Sequence, residues 1–137
     1  MVLLKDIVPT PTNTIDARFI LLDKGDVVQD GNATISMALV ADETASVHFQ
    51  LWGDEYQAFE PGDIICLTGG IFSYHKGNLV LRAGKKGKVE KVGEFEMVFV
   101  ESPNMSEIKW VRDPNNSKAF IQESIISPHS RIFLPSS

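Results

Sequence analysis

The chain has one cysteine, Cys66, among its 137 residues, and that excludes an internal disulfide. It sits inside Ile64-Ile65-Cys66-Leu67, where a buried, inert thiol is expected rather than a reactive one. Long apolar runs are missing too. The longest, such as Phe19 to Leu22, falls far short of the roughly 20 residues that a membrane helix requires. At the N-terminus, Met1-Val2-Leu3-Leu4-Lys5-Asp6 places its charges after a very short apolar stretch, the wrong order for a secretory signal. An intracellular protein with no membrane partner is the expectation. Internal repeats and low-complexity tracts are absent as well.

Basic residues are in the minority, 13 against 18 acidic, for a net charge of −5. Taken alone, that argues against a nucleic-acid binder. The distribution argues otherwise, because residues 1–70 carry −8, residues 76–91 carry +5 and residues 92–137 carry −2. A local field of one sign matters more to a polyanion than the total does. The cations form one cluster, Lys76, Arg82, Lys85, Lys86, Lys88 and Lys91, spaced by Gly84 and Gly87. On charge alone a solvated basic face explains this equally well.

Few residues support catalysis. His48, His75 and His129 are far apart and lack metal-ligand spacing. Gly84-Lys85-Lys86-Gly87 follows a strand without the full phosphate-loop pattern. Asp42 and Glu43, adjacent on a turn, read as solvated groups rather than an acid/base pair. No nucleophile with a matching base is evident, so neither an enzyme, a cofactor nor a metal is expected.

What is present is β-pattern. Residues 1–14, with Pro9, Pro11 and Asn13, predict an extended lead-in of little regular structure. A first strand starts at Ile15, is interrupted at Lys24-Gly25-Asp26 as by a bulge, and meets a turn signal at Asp30-Gly31. In the second, Ala33 to Ala41, Ile35, Met37 and Leu39 alternate with Thr34, Ser36 and Ala38. In the third, Ser46 to Trp52, Val47, Phe49 and Leu51 oppose Ser46, His48, Gln50 and Trp52. Trp52 therefore falls on the polar face, although an end-of-strand core role stays open. One or two helical turns are expected over 53–59, with Asp54 and Gln57 at capping-box spacing and Tyr56 and Phe59 covering the barrel bottom.

A fourth strand, Ile64 to Tyr74, and a fifth, Asn78 to Ala83, enclose the tip Tyr74-His75-Lys76-Gly77-Asn78, which is aromatic and basic. If Ile71, Ser73 and His75 share one face, Phe72 belongs to the core, while Tyr74 at the tip is open to either side. Leu79 and Leu81 point inward, and Asn78, Val80 and Arg82 outward. A last strand is expected at about Glu96 to Val100. The fold class is thus all-β, a small closed five- to six-stranded barrel of the OB type, with one short helix between strands three and four. The barrel domain spans 15–102, and 103–137 is an appendage partly laid on it, with a short helix near 117–125.

Several short segments occur in order: Lys5-Asp6-Ile7 with Pro9, Val40-Ala41-Asp42, Trp52-Gly53-Asp54, Pro61-Gly62-Asp63-Ile64-Ile65 with Leu67-Thr68, Lys76-Gly77, Val92-Gly93-Glu94-Phe95, and Pro103-Asn104 before Ser106-Glu107. Together, over about residues 4–107, they resemble the DNA-binding subunits of the SOSS complex, a family of single-OB-fold single-stranded-DNA-binding proteins of the DNA-damage response. The resemblance implies base stacking, a nuclear location, and assembly with a scaffold protein at Glu94 and Phe95. It places one base-stacking residue on Trp52. The family's other stacking positions fall on Ile71, His75 and Arg82, which are not the aromatics usual there. The family's long Gly/Pro/Ser-rich tail is replaced by 108–137, so functions of that tail do not transfer.

The leading expectation is a non-catalytic protein that holds single-stranded DNA across strands two to five. Trp52 stacks, Ile71, Tyr74, His75 and Arg82 contribute weaker contacts, and Lys76, Lys85, Lys86 and Lys88 neutralise phosphates. Two alternatives remain. One is a protein–protein adaptor with weak nucleic-acid affinity, motivated by the missing aromatics and the acidic first half. The other is a module for single-stranded RNA, since nothing in the sequence reads sugar identity.

Overall fold

In the computed structural model, the backbone is described for residues 1–113 and 116–125, and side chains for residues 1–29 and 31–110. Five strands close into a barrel in the order β1-β2-β3-β5-β4, with β4 returning to β1. They are β1 (Thr10–Asp30), β2 (Ala33–Ala41), β3 (Ser46–Trp52), β4 (Asp63–His75) and β5 (Asn78–Glu94), with the single-turn helix α1 (Glu55–Ala58) between β3 and β4. This is the OB arrangement, and closure removes the open sheet edges that would otherwise need covering.

The 21-residue β1 serves two partners, pairing with β4 through Thr10–Ile20 and with β2 through Ile20–Asp30. Its register slips between Lys24 and Val27, the bulge expected at Gly25. The strand begins at Thr10, five residues before the expected start, and residues 1–14 are not a loose lead-in. Leu4 (0% exposed) and Ile7 (3%) belong to the core, and the Val2 N–H donates to the Asp16 carbonyl (2.8 Å). Burial of these apolar side chains in the core outweighs the extended bias that prolines give the chain.

Inside, Phe19 and Phe49 pack with ring centroids 5.2 Å apart. Rings this large leave room only for small partners from β2. Accordingly Ser36, Ala38 and Val40 face inward, opposite Leu51, Phe49 and Val47. The more apolar set expected to oppose them, Met37 and Leu39, shares the outer face with Gln50 and His48. Packing volume decides this orientation, not hydropathy. Phe72, Leu79 and Leu81 are core as expected, and Phe59 is buried with Tyr56 packed against the cluster.

Further expectations differ from the structure, and β5 runs on to Glu94 rather than ending at Ala83. Residues 96–100 form no strand. The barrel closes through the parallel β3–β5 pair Phe49↔Leu81, and the stretch of β3 that this pair leaves open, around Ser46 to His48, is taken by a later segment. Residues 103–107 instead run along β3: the Ser46 N–H donates to the Pro103 carbonyl (2.9 Å), and the His48 N–H donates to Ser106 Oγ (2.9 Å). That cover buries Ser46 on the expected polar face of β3, where Gln50 is fully buried as well. Met105, Ile108 and Trp110 then enter the core, so the packed unit continues past residue 102. Finally, 117–125 is not helical. It lies in β7 (Asn116–Ile125), paired antiparallel with β6 (Ile108–Asp113). The remainder of the expected appendage, 126–137, lies outside the described residues.

Asp42 departs most from its expected role. Rather than a solvated turn residue it is 3% exposed. Its Oδ2 accepts the Leu4 N–H (2.9 Å), and its Oδ1 accepts the Thr44 N–H (2.8 Å), the Thr44 hydroxyl (2.6 Å) and the Ala45 N–H (3.1 Å). A carboxylate holding several donors is stable when buried.

Candidate nucleic-acid interface

Along the β4–β5 ladder the pairs Ile71↔Arg82, Ser73↔Val80 and His75↔Asn78 set one face, and Phe72↔Leu81 and Tyr74↔Leu79 the other. The turn is two residues, Lys76 and Gly77, both with positive φ (51° and 85°), the backbone of a tight hairpin. It brings His75 beside the end of β3, where its ring lies edge-on to Trp52 at 6.4 Å between centroids. Trp52 is half-buried, which leaves part of its ring free to take a stacked base.

Trp52, Ile71, Arg82 and Lys85 converge on one open groove of about 430 Å³. Four of the residues expected to bind nucleic acid are thus brought together. His75 borders Trp52. Tyr74 is 52% exposed, but the pleat sends it the opposite way from Ile71 and His75. Val80, though on the groove face of its strand, is fully buried. Arg82 is half-buried, and its Nη2 donates to Ser73 Oγ at 3.4 Å.

The lysines follow from an irregularity in the ladder. Thr68 pairs with Lys88 and Gly70 with Ala83, so residues 84–87 bulge out opposite Gly69 alone. The base of this bulge is pinched shut. A Cβ on Gly87 would meet the carbonyl oxygens of Gly69 and Thr68 and the nitrogen of Gly84 at 2.8 Å, and one on Gly84 would meet the Gly69 oxygen at 2.7 Å. Neither position needs positive φ; it needs the absence of a side chain. Lys85 and Lys86 are consequently presented as exposed cations at the bulge, with Lys85 lining the groove. Lys88, exposed on the same ladder, lies 3.8 Å from Glu90. An exposed pair of this kind holds its charges only weakly.

Besides Ala83, Gly84 and Gly87, sequence reasoning missed two polar residues that line the groove, Asn13 and Glu55. Asn13 comes from the start of β1, a stretch whose prolines point to irregular chain. Glu55 reads in the sequence only as part of a helical turn, and no side-chain cap forms at Asp54. Instead the Trp52 N–H donates to Glu55 Oε1 at 2.8 Å. Burial pushes the Glu55 carboxyl above its ordinary value, and the Trp52 N–H partly offsets that. The helix is fixed from behind by Lys24, whose ammonium donates to the Tyr56 carbonyl (2.9 Å) and lies 4.4 Å from the Tyr56 ring centroid.

Glu94 and Phe95 lie at the far end of the same ladder, beside Asp63. Phe95 is 74% exposed, and its N–H donates to the Gly62 carbonyl (2.9 Å) while its ring lies over Gly62. Glu94 is tied through Lys91, whose ammonium is 3.1 Å from both Glu94 and Asp63. Exposed Val92, Val98, Phe99 and Val100 continue the apolar character around Phe95 in sequence.

The family model described as single-stranded DNA binding protein Ssb-like, OB fold, matches residues 13–91. This is more than half of the chain, and the protein belongs to that family. Among curated proteins, the single-stranded DNA binding protein Ssb of Saccharolobus solfataricus is 33% identical over 66 residues, covering 48% of this chain and 45% of the relative. The aligned part thus spans about half the length of that relative. Among solved structures, the solution structure of a hypothetical protein from Arabidopsis thaliana is similar with a TM-score of 0.69 at 20% identity, covering 82% of this chain and 87% of that one. The HINa domain of Ifi202, solved with 20-base-pair double-stranded DNA, has a TM-score of 0.51 at 16% identity, covering 66% and 47%. At these identities the two structures support the fold alone.

Proposed function

We propose that the protein binds single-stranded DNA in the groove between the end of β3 and the β4–β5 hairpin, without catalysing a reaction. The observation that carries this reading is the convergence of Trp52, Ile71, Arg82 and Lys85 on one open groove. Trp52 supplies the stacking face, Ile71 an apolar contact, and Arg82 a flat guanidinium. Lys85 and Lys86 track the phosphates. Stacking is worth about 1–3 kcal/mol per base. With Trp52 as the one large aromatic among the described residues that line the groove, much of the affinity rests on phosphate neutralisation and is strongly salt-dependent.

The finer part of the proposal concerns assembly. The resemblance to the DNA-binding subunits of the SOSS complex supports a role in the DNA-damage response in the nucleus, as one component of a larger complex. Glu94 and the exposed Phe95 form the contact for a scaffold protein. They lie at the opposite end of the β4–β5 ladder from His75 and Asn78, so both sites can be occupied together.

The test is fluorescence anisotropy with matched single-stranded DNA, single-stranded RNA and duplex DNA at two salt concentrations. Micromolar or tighter binding to the DNA single strand, falling with salt and weakened at least several-fold by Trp52→Ala, is the expected result. Equal affinity of a folded Trp52→Ala variant overturns the stacking role. Binding to none of the three points to an adaptor, and preference for the RNA strand points to an RNA module.

A further inference from the structure

We propose that Glu55 makes the groove selective among bases, favouring cytosine over thymine at the position stacked on Trp52. The inference rests on the single-strand reading above and deepens it.

A carboxylate is out of place in a groove built for a polyanion. Glu55 nevertheless lines the same groove as Trp52, Arg82 and Lys85, and it is held there. The Trp52 N–H donates to its Oε1, and the packing of Tyr56 on Lys24 fixes the helix that carries it. Phosphate is repelled by this group, so whatever approaches it must bring a donor. On a nucleotide the donors belong to the base edge.

A base stacked on Trp52 presents its edge to the other residues of the groove, with an acceptor at Glu55 and donors at Arg82 and Lys85. Cytosine matches this set, because its N4 amino group donates to the carboxylate while its O2 and N3 accept from the cations. In the same pose thymine places O4 where cytosine has N4 and N3–H where cytosine has an acceptor, so a carbonyl oxygen would face the carboxylate and a donor would face the cations. Half-burial sharpens the contrast, since solvent screens the mismatch less. Burial raises the Glu55 pKa, as expected of a carboxylate partly withdrawn from water.

The competing account is purely structural, with Glu55 serving only to hold the Trp52 N–H. Glu55→Gln separates the two. The amide keeps an accepting oxygen for that N–H and preserves the fold, but loses the charge and offers a donor that suits thymine O4. Losing a negative charge raises affinity for every polyanion, so the readout is the ratio of affinities for oligo-dC and oligo-dT of equal length. In such homopolymers every binding register presents the same base to Trp52.

The experiment is anisotropy titration of wild type and Glu55→Gln with both oligomers at pH 7.5, with circular dichroism to confirm folding. The expected result is a dC/dT preference that falls about tenfold in the variant, the discrimination of one good base-edge contact. A variant whose two affinities rise by the same factor, leaving the ratio unchanged, overturns the inference while leaving single-strand binding intact. Failure of the wild type to bind either oligomer overturns the single-strand reading and the inference with it.

Discussion

The backbone N–H of Leu4 donates to Asp42 Oδ2 at 2.9 Å across 38 residues of sequence, tying the N-terminal turn to the β2–β3 corner. With the other Asp42 oxygen accepting from Thr44 and Ala45, one largely buried carboxylate serves the N–H groups of three residues. Asp42→Ala strands these donors, and each buried unpaired group costs about 1–3 kcal/mol. We expect a loss of about 3–5 kcal/mol in urea unfolding, at the upper end for single substitutions. Asp42→Asn retains one accepting oxygen and should lie between the variant and the wild type.

The pinched bulge of β5 makes a second prediction. Gly87→Ala places a methyl group 2.8 Å from three backbone atoms of Thr68, Gly69 and Gly84, none of which can rotate aside as a side chain would. The bulge must open to admit it, at a cost of about 1–3 kcal/mol. Because Lys85 and Lys86 ride on this bulge, single-strand affinity should fall as well. A thermal melt and an anisotropy titration on the same preparation check both outcomes.

How far the sequence disclosed the molecule can be judged residue by residue. Alternation along Ser46–Trp52 placed Val47, Phe49 and Leu51 in the core and Trp52 at the groove, because a strand's period of two survives in any barrel. Which set on β2 faces inward was not legible. It depends on the volume of Phe19 and Phe49, which reach the interior from other strands. Leu4, Met105 and Trp110 join the same core from outside the expected barrel, through contacts remote in sequence that no local pattern encodes. Lys85 reads as part of a charge cluster, but its place in the groove follows from the slip between Thr68 and Gly70. Glu55 carries no sequence signal beyond its distance of three residues from Trp52. The signal, where there is one, is a carboxylate three residues after a strand-ending tryptophan, placed to accept that residue's backbone N–H.

Acid should weaken the fold at the β3 edge. His48 lies against Asn104, with Nε2 3.3 Å from the Asn104 amide nitrogen. Burial lowers its pKa from 6.5, and nearby Glu107 only partly opposes that. The folded state therefore prefers the neutral imidazole, while the unfolded chain takes up a proton as pH drops below about 6.5. This stabilising contribution is complete above 6.5 and is lost as pH falls towards the lowered folded value. In urea titrations at pH 7.5 and 5.5, the wild type should lose more stability than His48→Gln. Equal losses would show that the histidine does not titrate differently in the two states.

The basic bulge and the stacking platform should separate by their response to salt. Each phosphate neutralised on a single strand contributes about 0.7 to the slope of log affinity against log salt, through release of condensed counterions. Lys85→Ala and Lys86→Ala each remove one exposed cation from the bulge. Each should flatten the slope by about that amount and weaken binding similarly for all base sequences. Trp52→Ala removes a ring without a charge, so its loss should persist at high salt with the slope nearly unchanged. The double variant Lys85→Ala/Lys86→Ala should flatten the slope by about 1.4 if the two lysines contact different phosphates. A slope that moves only as far as in either single variant would mean that they share one.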